Sequence, residues 1–327
     1  MTSSVLQDVR DPLAYDFPLP LKALYYPMGF AVEIVTNSPE VLAAADRIWG
    51  FYPSVTRANH VTFQVAVQTR GTLAAPRPSL PVGQNHLMSI VHGPDNFAVC
   101  DLAGSFGFAR LTSEVVSDGP YFRYHFLEPA VYVMIDARHL APVHASCVAL
   151  DGNAVLLCGD SGAGKTSLAY ALARRGWTYL SDDATHVVRS RSDHTVVGRP
   201  YSIRFRETAR LLFPELRGYL PELRPNGKVD LEIDSAELGL SVALEAKASH
   251  LVFLNRVSGA VKTRMEPFPR GEALRRLSTV ICYGSECVRT EQKRALSRLL
   301  DLPIVTLTYA DLADAECVLR SLVTGRG

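Results

Sequence analysis

Eight consecutive residues, Gly159-Asp160-Ser161-Gly162-Ala163-Gly164-Lys165-Thr166, constrain this chain more than any other stretch. They match G-x-x-x-x-G-K-[ST] in full and stand between a short apolar run, residues 154–158, and a helical pattern in which Leu168, Ala171 and Leu172 recur before Arg174-Arg175-Gly176. A strand, a glycine turn and a helix in that order make a phosphate-binding P-loop. Three glycines permit backbone angles closed to other residues, so successive amides can converge on an anion at the positive end of the helix. In this reading residues 159–167, Ser167 included, hold the phosphates of a nucleotide. Lys165 neutralises the β- and γ-phosphates, and Thr166 is a magnesium ligand. A merely structural glycine turn would have to reproduce the Lys-Thr pair and both flanks by coincidence.

The next constraint is an acidic pair. Asp182-Asp183 ends a short apolar stretch, residues 177–180, one strand beyond the expected P-loop helix. If that strand lies beside the P-loop strand, both carboxylates come near the phosphates. Neighbouring residues on an extended chain point to opposite sides, so one acid can serve magnesium and the other the incoming nucleophile. Asp is also a good turn former, and the residues alone leave that reading open. His144 precedes the P-loop strand by an expected hairpin, residues 144–150 and 154–158 around Asp151-Gly152-Asn153. It either orients a carboxylate or packs and caps. Arg204, Arg206, Arg224, Lys228 and Arg256 follow downstream; they are solvated surface residues, as most Lys and Arg are, or cations that stabilise transferred charge, Lys228 foremost among them because a turn at 224–228 can present it.

Length and composition set the frame. The 327 residues suggest two domains, and 47% hydrophobic residues suffice for a core in each. Thirty-four basic against 33 acidic residues leave a formal charge of +1, so no global field calls for nucleic acid or an anionic membrane. No apolar run is long enough to span a bilayer, and residues 1–20 lack a secretory pattern, so the expectation is a cytoplasmic protein. Cys100, Cys147, Cys158, Cys282, Cys287 and Cys317 show no metal-ligand spacing, and no structural metal is expected.

The organisation expected from pattern is a flexible arm over 1–20, an N-terminal α+β domain over 21–140 and a P-loop domain over 141–327. In the first domain, strands are read at 30–35, 61–67, 87–91, 97–102, 106–111 and 121–126. A helix opens at Ser38-Pro39, with Ser38 as N-cap, and a loop covers 71–81. In the second, strands at 177–180, 184–189 and 195–197 follow the P-loop helix.

His144-Ala145-Ser146, the 159–166 loop, Arg175-Gly176 and Asp182-Asp183, at this spacing, resemble the catalytic domain of the HPr kinase/phosphorylase family over about residues 142–198. A double Asp so close to the loop favours the α/β fold of HPr kinase and phosphoenolpyruvate carboxykinase type. The resemblance implies an ATP- and Mg2+-dependent kinase acting on a hydroxyl, with Asp182 orienting or deprotonating the acceptor, Asp183 and Thr166 holding magnesium, and His144 beside Asp182. It implies as acceptor the serine of a peptide or small protein, and self-association into a homo-oligomer. The chain departs from the family at Ser167, where an acidic residue is usual. Glu215-Leu216-Arg217-Gly218 matches only loosely a Glu-x-Arg-Gly element linked with dephosphorylation. A small-metabolite kinase and a nucleotide-binding regulator without transfer remain the alternatives.

Overall fold

A computed structural model describes residues 18–54, 60–68, 79–225, 227–259, 261–281 and 283–325. The expected arm lies outside them except for 18–20, as do most of the expected 71–81 loop, Asn226 and Cys282. The chain divides into two compact units, Met1–Ile135 and Asp136–Gly327.

The first unit is built on one seven-stranded sheet. Its strands are β1 (Leu21–Tyr25), β2 (Val32–Thr36), β3 (Val61–Gln68), β4 (Val82–Gln84), β5 (Leu87–Val91), β6 (Phe97–Asp101) and β7 (Phe106–Thr112), in the order β1-β2-β3-β7-β6-β5-β4. The β2-β3-β7 centre is parallel and both flanks are antiparallel. Parallel neighbours need a crossover, and helix α1 (Pro39–Trp49) lies between β2 and β3 in sequence, burying Val41, Ala45, Ile48 and Trp49 on one face. Ser38 precedes it in extended conformation, but its hydroxyl meets the Glu40 carboxylate at 2.5 Å rather than capping the helix amides.

The strand expected over 121–126 is helical instead. Helices α2 (Ser113–Ser117) and α3 (Gly119–Phe122) lead through a π-helical turn, Arg123–Leu127, into α4 (Glu128–His139). Asp118 accepts the Tyr121 amide at 3.1 Å and Pro120 occupies the first turn, so a start signal outweighs the β propensity of the aromatic residues. Tyr121, Phe122 and Phe126 are buried on these helices.

The second unit holds twelve strands among the described residues. They are β8 (Leu140–Val143), β9 (Ala145–Leu150), β10 (Asn153–Cys158), β11 (Thr178–Ser181), β12 (Thr185–Val188), β13 (Thr195–Val197), β14 (Ser202–Arg206), β15 (Glu222–Leu223), β16 (Val229–Asp234), β17 (Glu245–Arg256), β18 (Arg264–Pro267) and β19 (Ile304–Tyr309). Nine form a mixed sheet in the order β11-β9-β10-β17-β13-β12-β8, with β19 parallel to the second half of β17 and β18 on β19. β14, β16 and β15 make a small antiparallel sheet. The helices are α5 (Lys165–Ala173), α6 (Ala209–Leu212), α7 (Arg270–Leu277), α8 (Glu286–Arg298) and α9 (Leu312–Thr324).

Alternation along β10 builds two cores. Val155 and Leu157 pack with Leu168 and Leu172 of α5 and Leu319 of α9, while Ala154, Leu156 and Cys158 pack with Leu277 of α7 and Leu296 of α8. A strand covered on both faces reads as an unbroken apolar run, which is how residues 154–158 read. No helix among the described residues is long and apolar enough to cross a membrane.

A buried acid sits under the second core. Asp136 Oδ1 lies 3.4 Å from His186 Nε2, and the Asp136 carbonyl accepts from Gln292 of α8 at 3.2 Å. Burial pushes the Asp136 carboxyl up to about 7, with Arg199 and Arg189 opposing, and drives the His186 imidazole down to about 3. The raised acid contributes stability that is full below 3.8 and is lost as pH rises through about 7. The depressed imidazole contributes in the opposite sense, above 6.5 and lost as pH falls through about 3. Asp136→Asn is therefore expected to raise the thermal midpoint at about pH 8 more than at about pH 5; equal shifts at both would refute the titration.

Candidate functional site

Strand direction gathers the residues singled out in the sequence at one sheet edge. β9 is antiparallel to β10 and pairs Ala145 with Cys158, so His144, just before β9, stands beside Gly159, just after β10. β11 is antiparallel to β9 and so runs with β10, which opens its C-terminal end, and Asp182-Asp183 beyond it, at the same edge. β11 is therefore one strand removed from β10 rather than adjacent to it, because β9 intervenes. β17 and β19 also run parallel to β10 and end there with Arg256 opposite Tyr309. In α/β sheets ligands collect beyond the carboxyl ends of strands.

The β9-β10 connection is a tight turn with Asp151 at φ 50° and Gly152 at φ 81°, which fixes the register that delivers His144. The loop then turns through Gly162 at φ 91° and Gly164 at φ 92° before α5 begins at Lys165. Gly164 is the N-cap and has no side chain, so no side chain caps the first-turn amides. The space is also closed to larger residues. A Cβ on Gly159 would lie 2.9 Å from Ala163 Cβ, and one on Gly164 2.9 Å from the Tyr309 hydroxyl. Positive backbone angles, uncapped amides and a lysine at the first helical position fit a phosphate group.

Lys165 is 6% exposed. Its Nζ donates to the Gly159 carbonyl at 2.8 Å, to the Asp160 carbonyl at 3.3 Å and to His144 Nε2 at 3.1 Å, and lies 3.9 Å from Asp183 Oδ1. Burial lowers its pKa, with Asp183 the main opposing charge. An ammonium offers only donors, so His144 Nε2 accepts; His144 Nδ1 then carries the proton that meets Asp183 Oδ1 at 3.1 Å. The neutral tautomer is thus set by its two partners, and a relay runs from Lys165 through His144 to Asp183. The resemblance placed His144 beside Asp182; here it pairs with Asp183, because Asp182 is turned into the fold.

Asp182 is half-buried. Its Oδ2 accepts the Arg204 amide at 2.8 Å and its carbonyl accepts the Ser146 hydroxyl. Burial raises its carboxyl, the Arg204 amide and guanidinium opposing and Asp183 adding to the rise. The turn is held from behind: Thr185 Oγ1 donates to the Ala145 carbonyl at 2.8 Å and Ser181 Oγ to Thr185 Oγ1 at 2.7 Å. Asp182 and Asp183 therefore face different surroundings, one in a hydrogen-bonded pocket and one exposed toward the lysine.

Of the five downstream cations, two lie at the loop. Arg206 Nη2 donates to Ser161 Oγ at 2.9 Å, and Arg256 Cδ lies 3.5 Å from the Cβ position of Gly164. Arg204 and Arg224 instead pair with Glu232, and Arg224 with Asp230 at 2.6 Å. Lys228, favoured from the turn it follows, is an exposed residue of the β15-β16 hairpin. Glu215 of the loosely matched 215–218 element binds Arg174 and accepts the Tyr170 hydroxyl at 3.1 Å, tying that element to α5. Tyr309 belongs to no motif in the sequence; it is the last residue of β19. Thr166 and Ser167 are half-buried on the first turn of α5. Among the described residues no three His, Cys, Asp or Glu side chains gather around one metal position. Magnesium needs no such cage, taking one or two protein ligands with phosphate and water, a demand Thr166 and Asp183 suit by chemistry.

Comparison with known proteins gives partial matches. The family model described as SynChlorMet cassette protein ScmC matches residues 123–201, the stretch containing His144, the glycine loop and both aspartates. The HPr kinase/phosphorylases of Limosilactobacillus reuteri strains DSM 20016 and JCM 1112 are each 36% identical over 97 residues, 29% of this chain and 26% of theirs. The chain thus spans about a quarter of the curated relatives it matches. The Hpr(Ser) kinase/phosphatase structure from Coxiella burnetii aligns with a TM-score of 0.32 and 14% identity, covering 56% of this chain and 98% of that one. The sequence similarity supports an HPr kinase-like relationship for the matched segment.

Proposed function

We propose that this chain is a P-loop phosphotransferase that moves the γ-phosphoryl group of ATP to a hydroxyl, with a serine of a peptide or small protein as acceptor. The observation that carries the reading is the convergence of a buried lysine, a neutral histidine and an acid within 3.9 Å at the mouth of a glycine loop. The similarity of part of the chain to HPr kinase/phosphorylases supports the same class.

In this reading residues 159–167 hold the polyphosphate, and Lys165 exchanges the Gly159 and Asp160 carbonyls for phosphate oxygens. Thr166 and Asp183 would hold magnesium, which would supply neutralisation of phosphate charge. His144 keeps Asp183 oriented by donating Nδ1–H, the support that a metal-binding carboxylate needs. Asp182 is the general base: a carboxyl raised by burial is a better proton acceptor near neutral pH, and its position is fixed by the Arg204 amide and Ser146. Arg206 stands at the exposed side of the loop, where a cation can stabilise charge on the transferred group.

The test is incubation of the purified chain with γ-labelled ATP, magnesium and cell extract, followed by mass analysis of the labelled species. Label on serine of a protein or peptide is the expected result. Label on a small compound alone would reassign the acceptor, and tight nucleotide binding with no transfer to any species would make the chain a regulator.

A further inference from the structure

We infer that Tyr309 is a positioning residue for the glycine loop, its hydroxyl held as the donor that a main-chain carbonyl of the loop engages when phosphate is bound. The inference rests on the phosphate-binding reading above and adds a residue outside the 159–167 motif.

Three observations carry it. The Tyr309 side chain is completely buried, yet its hydroxyl has no hydrogen-bond partner among the described residues. Nine in ten or more buried polar groups are paired in folded proteins, and a phenylalanine would fill the same space without an orphaned oxygen. The hydroxyl is also aimed at the loop: it lies 2.9 Å from the Cβ position of Gly164, the residue that opens α5. That placement comes from the register of two parallel strands, Arg256 of β17 opposite Tyr309 of β19, and Arg256 approaches the same point at 3.5 Å. Burial pushes the phenol up to about 12, so at neutral pH it is protonated and can donate.

The loop can change to meet it. Lys165 now satisfies the Gly159 and Asp160 carbonyls, and binding a polyphosphate draws the ammonium from both. The loop main chain is then free to settle against a fixed donor. Such a hydroxyl disfavours the unliganded state slightly and favours the liganded one, so it acts on affinity rather than on folding.

The experiment compares the full-length chain with Tyr309→Phe. Affinities for Mg-ATP and for inorganic pyrophosphate are measured by calorimetry, and the thermal midpoint is measured without either. Tyr309→Phe is expected to bind both probes about five- to tenfold more weakly, the size of one hydrogen bond, with an unchanged or higher midpoint. Hydrogen exchange over 159–166 provides a second readout, with pyrophosphate slowing exchange more in the wild type than in the variant. Equal affinities and equal protection would overturn the inference, as would a lower midpoint in the variant, which would mark the hydroxyl as structural. A loss confined to ATP would also overturn it, because the contact would then be to the nucleoside. If the wild type binds neither probe, the phosphate-binding reading fails with it; if the wild type binds and the variant matches it, only the role of Tyr309 fails.

Discussion

Lys165→Ala is expected to reduce phosphoryl transfer by at least about a hundredfold in purified protein while the thermal midpoint changes little. The kinetic part follows from where the ammonium stands. It is the one cation the loop itself contributes, almost wholly out of water, where a charge acts through a lower dielectric than at the surface. The stability part follows from its partners. The variant frees two loop carbonyls, on half-exposed Gly159 and exposed Asp160, and water can reach both. It also removes an amine whose folded pKa lies below its ordinary value of 10.5 because of burial. A lowered lysine disfavours folding below its folded pKa and this penalty fades as pH rises, so at neutral pH its removal offsets part of the lost hydrogen bonding. Lys165→Arg is not a rescue, since a planar fork cannot replace a compact ammonium in this space. Unchanged transfer by Lys165→Ala would end the phosphate-loop reading.

The strand, glycine turn and helix around residues 159–166 were legible in sequence because the pattern is local: three glycines, Lys165 and Thr166 stand within eight residues, and their flanks are continuous runs. The hairpin that brings in His144 was legible for the same reason, through Asp151-Gly152. What lay beyond local pattern is long-range pairing. That β11 lies outside β9, and that Asp182 is turned inward onto the Arg204 amide while Asp183 meets His144, depends on contacts 22 to 39 residues apart in the chain. Tyr309 is farther still, placed by the register that sets it opposite Arg256 of β17. Residues 121–126 misled for a different reason. Aromatic spacing suits a strand, and the decisive features, Asp118 and Pro120, lie just before the segment they control.

The two aspartates should fail in different ways when each is replaced by asparagine. Asp182→Asn is expected to lower kcat by about a hundredfold or more, the usual share of a general base, with nucleotide KM little changed. Asparagine keeps an oxygen for the Arg204 amide, so the turn survives. The stability sign is also defined: a carboxyl whose folded pKa is raised contributes stability only at low pH and loses it as pH rises through the folded value. At neutral pH the neutral amide should therefore leave the midpoint equal or higher, which separates lost chemistry from lost structure. Asp183→Asn keeps an oxygen that can accept His144 Nδ1–H but removes the negative charge 3.9 Å from Lys165. Its expected signature is a raised magnesium requirement and a raised nucleotide KM, partly recovered at high magnesium. The pH profile gives an independent check, because wild-type kcat/KM should fall on the acid side at a pH above the ordinary carboxylate range, and Asp183→Asn, which takes a like charge from beside Asp182, should move that limb downward. If instead Asp183→Asn abolishes kcat at saturating magnesium and Asp182→Asn does not, the proton acceptor is Asp183, reached through His144, and the roles of the pair are reversed.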